Sequence, residues 1–165
     1  MLNLTLACGH YDRTEALRDG RVQPDGIKLN CLTLKVEETF WRMMQYREFD
    51  VAETSLGGYV VRRGREVEDL VAIPVFPSRF FRQSCIFVHS KSGIETPQDL
   101  KGKRIGVPEY QMTAAVWARG ALSDDYDVCA EDIEWVQGGL ETPGRLPFEP
   151  VEPKGISLSF APTDR

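Results

Sequence analysis

The chain has 165 residues, of which 20 are basic and 25 acidic, giving a formal net charge of −5. Its hydrophobic content of 42% and charged content of 27% are ordinary for a soluble globular protein of one domain or two small lobes. The acidic balance argues against a general nucleic-acid-binding surface, because phosphate binding depends on clustered Lys and Arg. No apolar run is long enough to span a membrane.

At the N-terminus, Leu2, Leu4 and Leu6 alternate with polar residues, which predicts a first strand ending at Cys8. This stretch lacks the basic start, long apolar run and cleavage site of a signal peptide. The cysteines are Cys8, Cys31, Cys85 and Cys129, and no two form a C-x-x-C pair, which argues against a zinc site. The first three lie in apolar runs typical of buried positions. We therefore expect a cytoplasmic protein in a reducing environment.

Strands and helices alternate along the following residues. The pattern predicts a short helix from Thr14 to Gly20, a strand over 27–31, a helix over 37–47, a strand over 49–54 and a helix opened by Ser55. The apolar run over 70–76 is interpreted as buried, and the apolar run over 85–89 as a crossing strand. Core positions are predicted for Trp41, Trp117 and Trp135.

A second β-α-β unit is predicted to begin at Thr96. Thr96 can cap a helical turn that has Pro97 at its first position and Asp99 in its first turn, and Gly102 ends it. A strand over 104–107, a helix over about 111–122, a strand over 132–136 and a last strand over 156–160 follow, with a proline-rich loop over 143–153. Since strands alternate with helices, the predicted fold class is α/β with parallel sheets.

The order of these elements and several motifs resemble known families. One α/β lobe, a crossing strand and the sequence from Asp99 to Val107 resemble the type II periplasmic-binding-protein fold, in which two α/β lobes close over a ligand. A narrower resemblance, to 4,5-dihydroxyphthalate decarboxylases, is carried by four motifs: Tyr11-Asp12-Arg13-Thr14, Arg79-Phe80-Phe81-Arg82-Gln83-Ser84, Val107-Pro108-Glu109-Tyr110-Gln111-Met112-Thr113-Ala114 and Gly138-Gly139-Leu140-Glu141-Thr142-Pro143-Gly144-Arg145. Gln83 departs from the family motif, which has His at that position.

Members of that family are about twice as long as this chain. The resemblance therefore implies a first α/β lobe over residues 1–83 and a crossing strand with an incomplete second lobe over 84–165, truncated to about the N-terminal half. It also implies decarboxylation of a dihydroxylated aromatic dicarboxylate, 4,5-dihydroxyphthalate, to protocatechuate. The expected partner is a small aromatic carboxylate, with no nucleic acid or membrane and with homo-oligomer formation left open.

In open α/β sheets, ligands bind beyond the carboxyl ends of the strands. Four loops meet that criterion: 9–13, 54–58, 78–83 and 109–113. For a phthalate-type ligand, Arg79 and Arg82 suit one carboxylate because the guanidinium forms bidentate pairs, although either could instead pair with a surface acid. Backbone N–H groups near Gln111 suit the other carboxylate, unless they belong to an ordinary helix cap. The predicted substrate-binding residues are Tyr11, Arg13, Ser55, Arg79, Arg82, Gln83, Tyr110, Gln111 and Thr113.

Decarboxylation of a hydroxylated ring needs a proton donor for the ring carbon and a group that orients or deprotonates a phenol. The predicted catalytic residues are His10, Asp12 and Glu109, with Glu53 as a further possible base. No cofactor is expected. A divalent metal held by His10, Asp12 and Glu109 is conceivable, but nothing in their local spacing supports a metal site.

Three interpretations stay open at the sequence level. The chain is a member of the decarboxylase family that removes one carboxylate, a binding module that holds a small anionic or aromatic ligand without turnover, or an inactive fragment. Carbon dioxide release from 4,5-dihydroxyphthalate would separate the first from the other two.

Overall fold

The structure of the protein is a computed structural model, and it describes residues 1–139 and 147–163. The chain divides into two compact units, Met1–Phe80 and Phe81–Arg165, and each is described by itself. Both contain a three-stranded parallel sheet with helical connections, which confirms the α/β class. The predicted boundary after residue 83 and the incompleteness of the second lobe stay predictions.

The first unit is built on a sheet with strand order β2-β1-β3, comprising β1 (Leu2–Cys8), β2 (Ile27–Thr33) and β3 (Val51–Ala52). β1 is the central strand, with Leu4 opposite Leu29 in β2 and Ala7 opposite Ala52 in β3. The helices are α1 (Glu15–Arg18), α2 (Val36–Tyr46) and α3 (Leu56–Gly64). β3 is shorter than the predicted strand over 49–54.

The core of the first unit is formed by one face of α2 and the strands beneath it. Ala7, Met43 and Phe49 are buried, and Leu32, Leu34, Ala52 and Leu70 pack against them. α2 ends where Arg47 adopts a left-handed conformation (φ 53°) and donates its N–H to the Met43 carbonyl. The predicted helix over 37–47 is therefore confirmed with its end shifted by one residue.

The second unit has strand order β4-β5-β6, comprising β4 (Arg104–Val107), β5 (Glu134–Gln137) and β6 (Ser157–Phe160), all parallel. Its longest helix, α4 (Thr113–Tyr126), connects β4 to β5. The core of the second unit is formed by side chains from the turn before β4, from β4, α4 and β5, and from the loops that connect them. These residues are Leu100, Val107, Tyr110, Ala115, Leu122, Val128, Ile133 and Trp135.

The turn that leads into β4 forms as its sequence predicts. Pro97–Leu100 is a single 3-10 turn, and the Asp99 carboxylate accepts hydrogen bonds from the Glu95 N–H (3.0 Å), the Thr96 N–H (2.8 Å) and the Thr96 hydroxyl (3.0 Å). These bonds lower the pKa of Asp99. Gly102 then turns the chain with φ +72°, a conformation that glycine adopts without a steric penalty.

The predicted burial of residues 70–76 and the predicted crossing strand over 85–89 are wrong. Residues 70–76 and 86–89 are irregular, and Cys85 ends a short 3-10 turn, Arg82–Cys85. Val71 is 90% exposed and Phe87 is 87% exposed. An apolar run becomes a buried strand only when a neighbouring strand pairs with it, and within the described residues these two runs have none.

Burial also differs from the prediction at some side chains. Trp41 and Trp117 are exposed, because they lie on the outer faces of α2 and α4, whereas Trp135 is buried in β5 as predicted. Cys85 is exposed rather than buried, and all four cysteines are free thiols. Over the described ranges, no helix has the length and apolar character needed to cross a membrane.

Candidate functional site

A buried carboxylate joins the carboxyl ends of two strands in the first unit. Glu53 follows β3 directly and is 8% exposed. Its Oε2 accepts the Gly9 N–H at 3.1 Å, and its Oε1 accepts the Tyr11 hydroxyl at 2.8 Å. Its own N–H donates to the Ala7 carbonyl at 2.9 Å. Glu53 therefore holds the loop after β1 in place, at the sheet edge where parallel α/β folds bind ligands.

Tyr11 is the predicted ligand-binding residue that joins this carboxylate. Burial, the hydrogen bond to Glu53 and the charge of Glu53 together raise the pKa of Tyr11 to about 12. Its phenol is therefore a hydrogen-bond donor at neutral pH and not a base. The Arg13 guanidinium lies 5.5 Å from the centroid of the Tyr11 ring, and its Nη1 donates to the Pro77 carbonyl.

The other predicted residues of this unit have partners outside the Glu53 group. His10 is exposed, and its Nε2 lies 3.0 Å from Nη2 of Arg18. Since a guanidinium only donates, Nε2 is the acceptor in this contact. The Asp12 side chain is 88% exposed and lies 3.4 Å from the Arg13 guanidinium. The Ser55 hydroxyl accepts the Gly58 N–H at 3.2 Å as the N-cap of α3.

A second buried polar group lies at the carboxyl ends of β4 and β5. It consists of Glu109 (1% exposed), Gln111 (3%) and Gln137 (2%). Nε2 of Gln111 donates to Oε2 of Glu109 at 2.8 Å, and Oε1 of Gln137 accepts the Tyr110 N–H at 2.7 Å. We call these three side chains the Glu109 cluster. They bring together two of the predicted site residues, Glu109 and Gln111.

Tyr110 is packed in the core beside this cluster. Its ring lies 5.8 Å from the Trp135 ring in an edge-to-face arrangement at 78°, and the Arg119 guanidinium lies 3.7 Å from its centroid. Burial raises the pKa of Tyr110, although the positive charge of Arg119 opposes that shift. Burial in turn lowers the pKa of Arg119. One face of the Tyr110 ring is therefore already covered by a cation.

The remaining predicted residues lie on or near exposed surface. Arg79 and Gln83 are exposed, whereas Arg82 is partly buried in the 3-10 turn Arg82–Cys85, which contacts α4. Thr113 is the first residue of α4, and Met112 is its N-cap, so the helix begins two residues later than predicted. Arg145 and the motif residues from Leu140 onward lie outside the described residues.

Two polar residues near these groups, the buried Gln137 and the partly buried Arg119, were missed by the sequence analysis. Gln137 is the last residue of a buried strand, a position that could have identified it. Arg119 lies four residues after the buried Ala115 and three before the buried Leu122, so the helical period could have placed it next to the core. Among residues 1–139 and 147–163, no three His, Cys, Asp or Glu side chains come together to hold a metal ion.

Comparison with known proteins adds an independent line of evidence. A family model described as NMT1/THI5 like matches residues 26–141. The chain is 46% identical over 165 residues to a 4,5-dihydroxyphthalate decarboxylase of Comamonas testosteroni, covering 99% of this chain and 50% of that protein. It is also 46% identical over 145 residues to a 4,5-dihydroxyphthalate decarboxylase of Pseudomonas putida, covering 88% of this chain and 56% of that relative. The chain thus spans about half the length of these relatives.

Proposed function

Because the chain belongs to the NMT1/THI5-like family, we propose that it acts in the removal of one carboxylate from 4,5-dihydroxyphthalate, with protocatechuate as the product. The observation that carries this proposal is the 46% identity to the Comamonas testosteroni decarboxylase over nearly all of the chain. The buried polar groups at the ends of β3, β4 and β5 support it, because that is the edge where α/β proteins bind small molecules.

The proposed reaction breaks the bond between a ring carbon and a carboxylate carbon. Carbon dioxide leaves, its bonding electrons stay on the ring, and the ring carbon takes up a proton. Each carboxylate is para to a hydroxyl, so the ring supplies the electron density that this step needs. The protein is left with orienting the phenol groups, binding the remaining carboxylate and providing the proton.

Glu109 is the proposed catalytic acid or base, since it is 1% exposed and hydrogen-bonded to Gln111. His10 and Asp12 stay predictions, and so does binding of a carboxylate by Arg79 and Arg82. Tyr11 donates its one hydroxyl proton to Glu53 and is proposed to contact the ligand as a neutral phenol at the carboxyl ends of the first unit's strands.

A second candidate function is binding of the same class of ligand without turnover. Two observations favour it. His10 has its Nε2 occupied by Arg18, and Gln83 stands where the family motif has His. A glutamine amide offers no transferable proton at position 83, and the Nε2 of His10 is already held by Arg18.

The test is to incubate the purified chain with 4,5-dihydroxyphthalate, with and without a divalent cation, and to measure carbon dioxide release. We expect release, and we expect Glu109→Gln to slow it by about 100-fold or more, the usual contribution of a general acid or base. Glu131→Gln, at an exposed position of the same unit, is the matched control and should leave the rate unchanged.

The Comamonas testosteroni decarboxylase serves as the positive control. Saturable binding without release would replace the decarboxylation proposal by the binding function. Neither binding nor release by a folded sample, in conditions where the relative is active, would contradict both.

A further inference from the structure

Gln111 carries a buried hydrogen-bond acceptor to which the described residues supply no donor. Its side chain is 3% exposed, and Nε2 donates to the Glu109 carboxylate at 2.8 Å. No donor in the described part of the chain lies within hydrogen-bond distance of Oε1. The orientation of the amide is fixed chemically, because a carboxylate only accepts and must face the NH₂ group. The unpaired atom is therefore the carbonyl oxygen.

An unpaired buried acceptor at this position suggests that a ligand supplies the donor. Native proteins pair nearly all buried polar atoms, and the exceptions require a specific explanation. Gln111 lies between the end of β4 and the start of α4, at the carboxyl ends of the strands, where α/β folds bind ligands, and Gln137 at the end of β5 accepts the N–H of the preceding residue, Tyr110.

The chemistry of the Glu109 cluster restricts which part of a ligand can approach it. The Glu109 carboxylate and Oε1 of Gln111 are both acceptors. A ligand carboxylate is also an acceptor at neutral pH, so it would leave Oε1 of Gln111 without a donor. The hydroxyl groups of a dihydroxylated ring are donors, and two of them lie side by side on the ring edge opposite the two carboxylates.

We propose that Oε1 of Gln111 accepts a hydrogen bond from a ring hydroxyl of the bound ligand, so that Gln111 selects hydroxylated aromatic diacids over phthalate itself. This inference rests on the proposed function and adds an orientation to it. The hydroxyl edge of the ring faces the Glu109 cluster, and the carboxylates point away from it. It replaces the expectation that backbone N–H groups near Gln111 bind a carboxylate.

The experiment measures binding of 4,5-dihydroxyphthalate and of phthalate, by calorimetry, to the unaltered chain and to Gln111→Met. We expect the variant to bind 4,5-dihydroxyphthalate about tenfold more weakly, the value of one hydrogen bond to a neutral group, and to bind phthalate as before. Gln45→Met, at an exposed position on α2, is the matched control and should change neither affinity.

A second measurement needs no substitution, in case Gln111→Met does not fold. The dimethyl ether of the ligand, 4,5-dimethoxyphthalate, keeps the oxygens but has no donor, and we expect the unaltered chain to bind it no more tightly than phthalate. Equal loss of affinity for both diacids in the variant, unchanged binding of 4,5-dihydroxyphthalate, or equal binding of the hydroxylated and methylated ligands would overturn the role of Gln111. Failure to bind any of the diacids would instead contradict the proposed function.

Discussion

Glu53 and Glu109 occupy corresponding places in the two units. Glu53 directly follows β3 and Glu109 lies two residues after β4, and each is buried and accepts at least one hydrogen bond from a neutral donor. A buried carboxylate of this kind retains the capacity to interact with a phenol or to take part in proton transfer.

Tyr11 gives a direct measure of the charge on Glu53. We expect Glu53→Gln to lower the pKa of Tyr11 from about 12 toward the ordinary value of 10, because the substitution removes the charge but leaves the ring buried. The pKa follows from the absorbance of tyrosinate as a function of pH, with Tyr11→Phe used to subtract the other tyrosines. An unchanged pKa would contradict the contact.

The same shift predicts how stability depends on alkaline pH. A tyrosine whose pKa is raised in the folded state stabilises the protein at pH values below its unfolded pKa, and this contribution is lost as the pH rises from about 10 through about 12. We expect urea unfolding to show this loss in the unaltered chain and a smaller loss in Tyr11→Phe. Identical curves would show that Tyr11 is not responsible.

Arg82 tests the predicted carboxylate clamp. We expect Arg82→Ala to weaken binding of 4,5-dihydroxyphthalate by at least about tenfold, since it removes a charge-assisted hydrogen bond. Arg21→Ala is the control, because Arg21 is exposed and pairs with Asp19. Circular dichroism establishes that both variants fold, and equal affinity in the two would rule out the clamp.

At the scale of the elements, helix α3 depends on its N-cap. We expect Ser55→Ala to lower the free energy of unfolding by about 1 kcal/mol, because the Gly58 N–H loses its acceptor. Urea unfolding measures the change, and Ser90→Ala, at an exposed position, should have no effect. A destabilisation no larger than that of the control would show that Ser55 is retained for another reason.

The residue before β5 is buried in the second unit, whereas residues 71–76 of the first unit are exposed. Ile133, just before β5, is 2% exposed, and we expect Ile133→Ala to cost about 2–5 kcal/mol of unfolding free energy. Ile73 is 59% exposed, so the same substitution there should cost less than about 0.5 kcal/mol. Comparable losses at the two positions would contradict the irregular, exposed conformation of residues 70–76.

Sequence predicted the elements whose signals are local. The capped turn at Thr96, the strand over 104–107 and the helix over 37–47 each carry their own start and stop residues, and all three are found. The runs 70–76 and 85–89 carry only apolar character. Whether such a run becomes a strand depends on a partner that is distant in sequence, and local pattern has no access to it. The same limit explains why Glu109 was predicted as a site residue and Gln137 was not. Gln137 accepts the N–H of Tyr110, which lies 27 residues earlier in the chain.

At the scale of the whole molecule, large apolar side chains are concentrated on the surface between residues 71 and 88. The exposed residues there are Val71, Ile73, Val75, Phe76, Phe80, Phe81, Phe87 and Val88. Exposed apolar groups at this density lower solubility. We expect Phe87→Ser to raise the concentration at which the chain precipitates, as measured by light scattering. Phe49→Ser should lower it, because Phe49 is 5% exposed and belongs to the core.

The order of strands in the first unit has a consequence for biosynthesis. β1 is the central strand and pairs with β2 on one side and with β3 on the other, and β3 ends at residue 52. All three strands therefore leave the ribosome before any strand of the second sheet is translated. The first sheet can then assemble vectorially, with the Glu53 carboxylate already joined to Gly9 and Tyr11, while the residues of the Glu109 cluster are still to be synthesised.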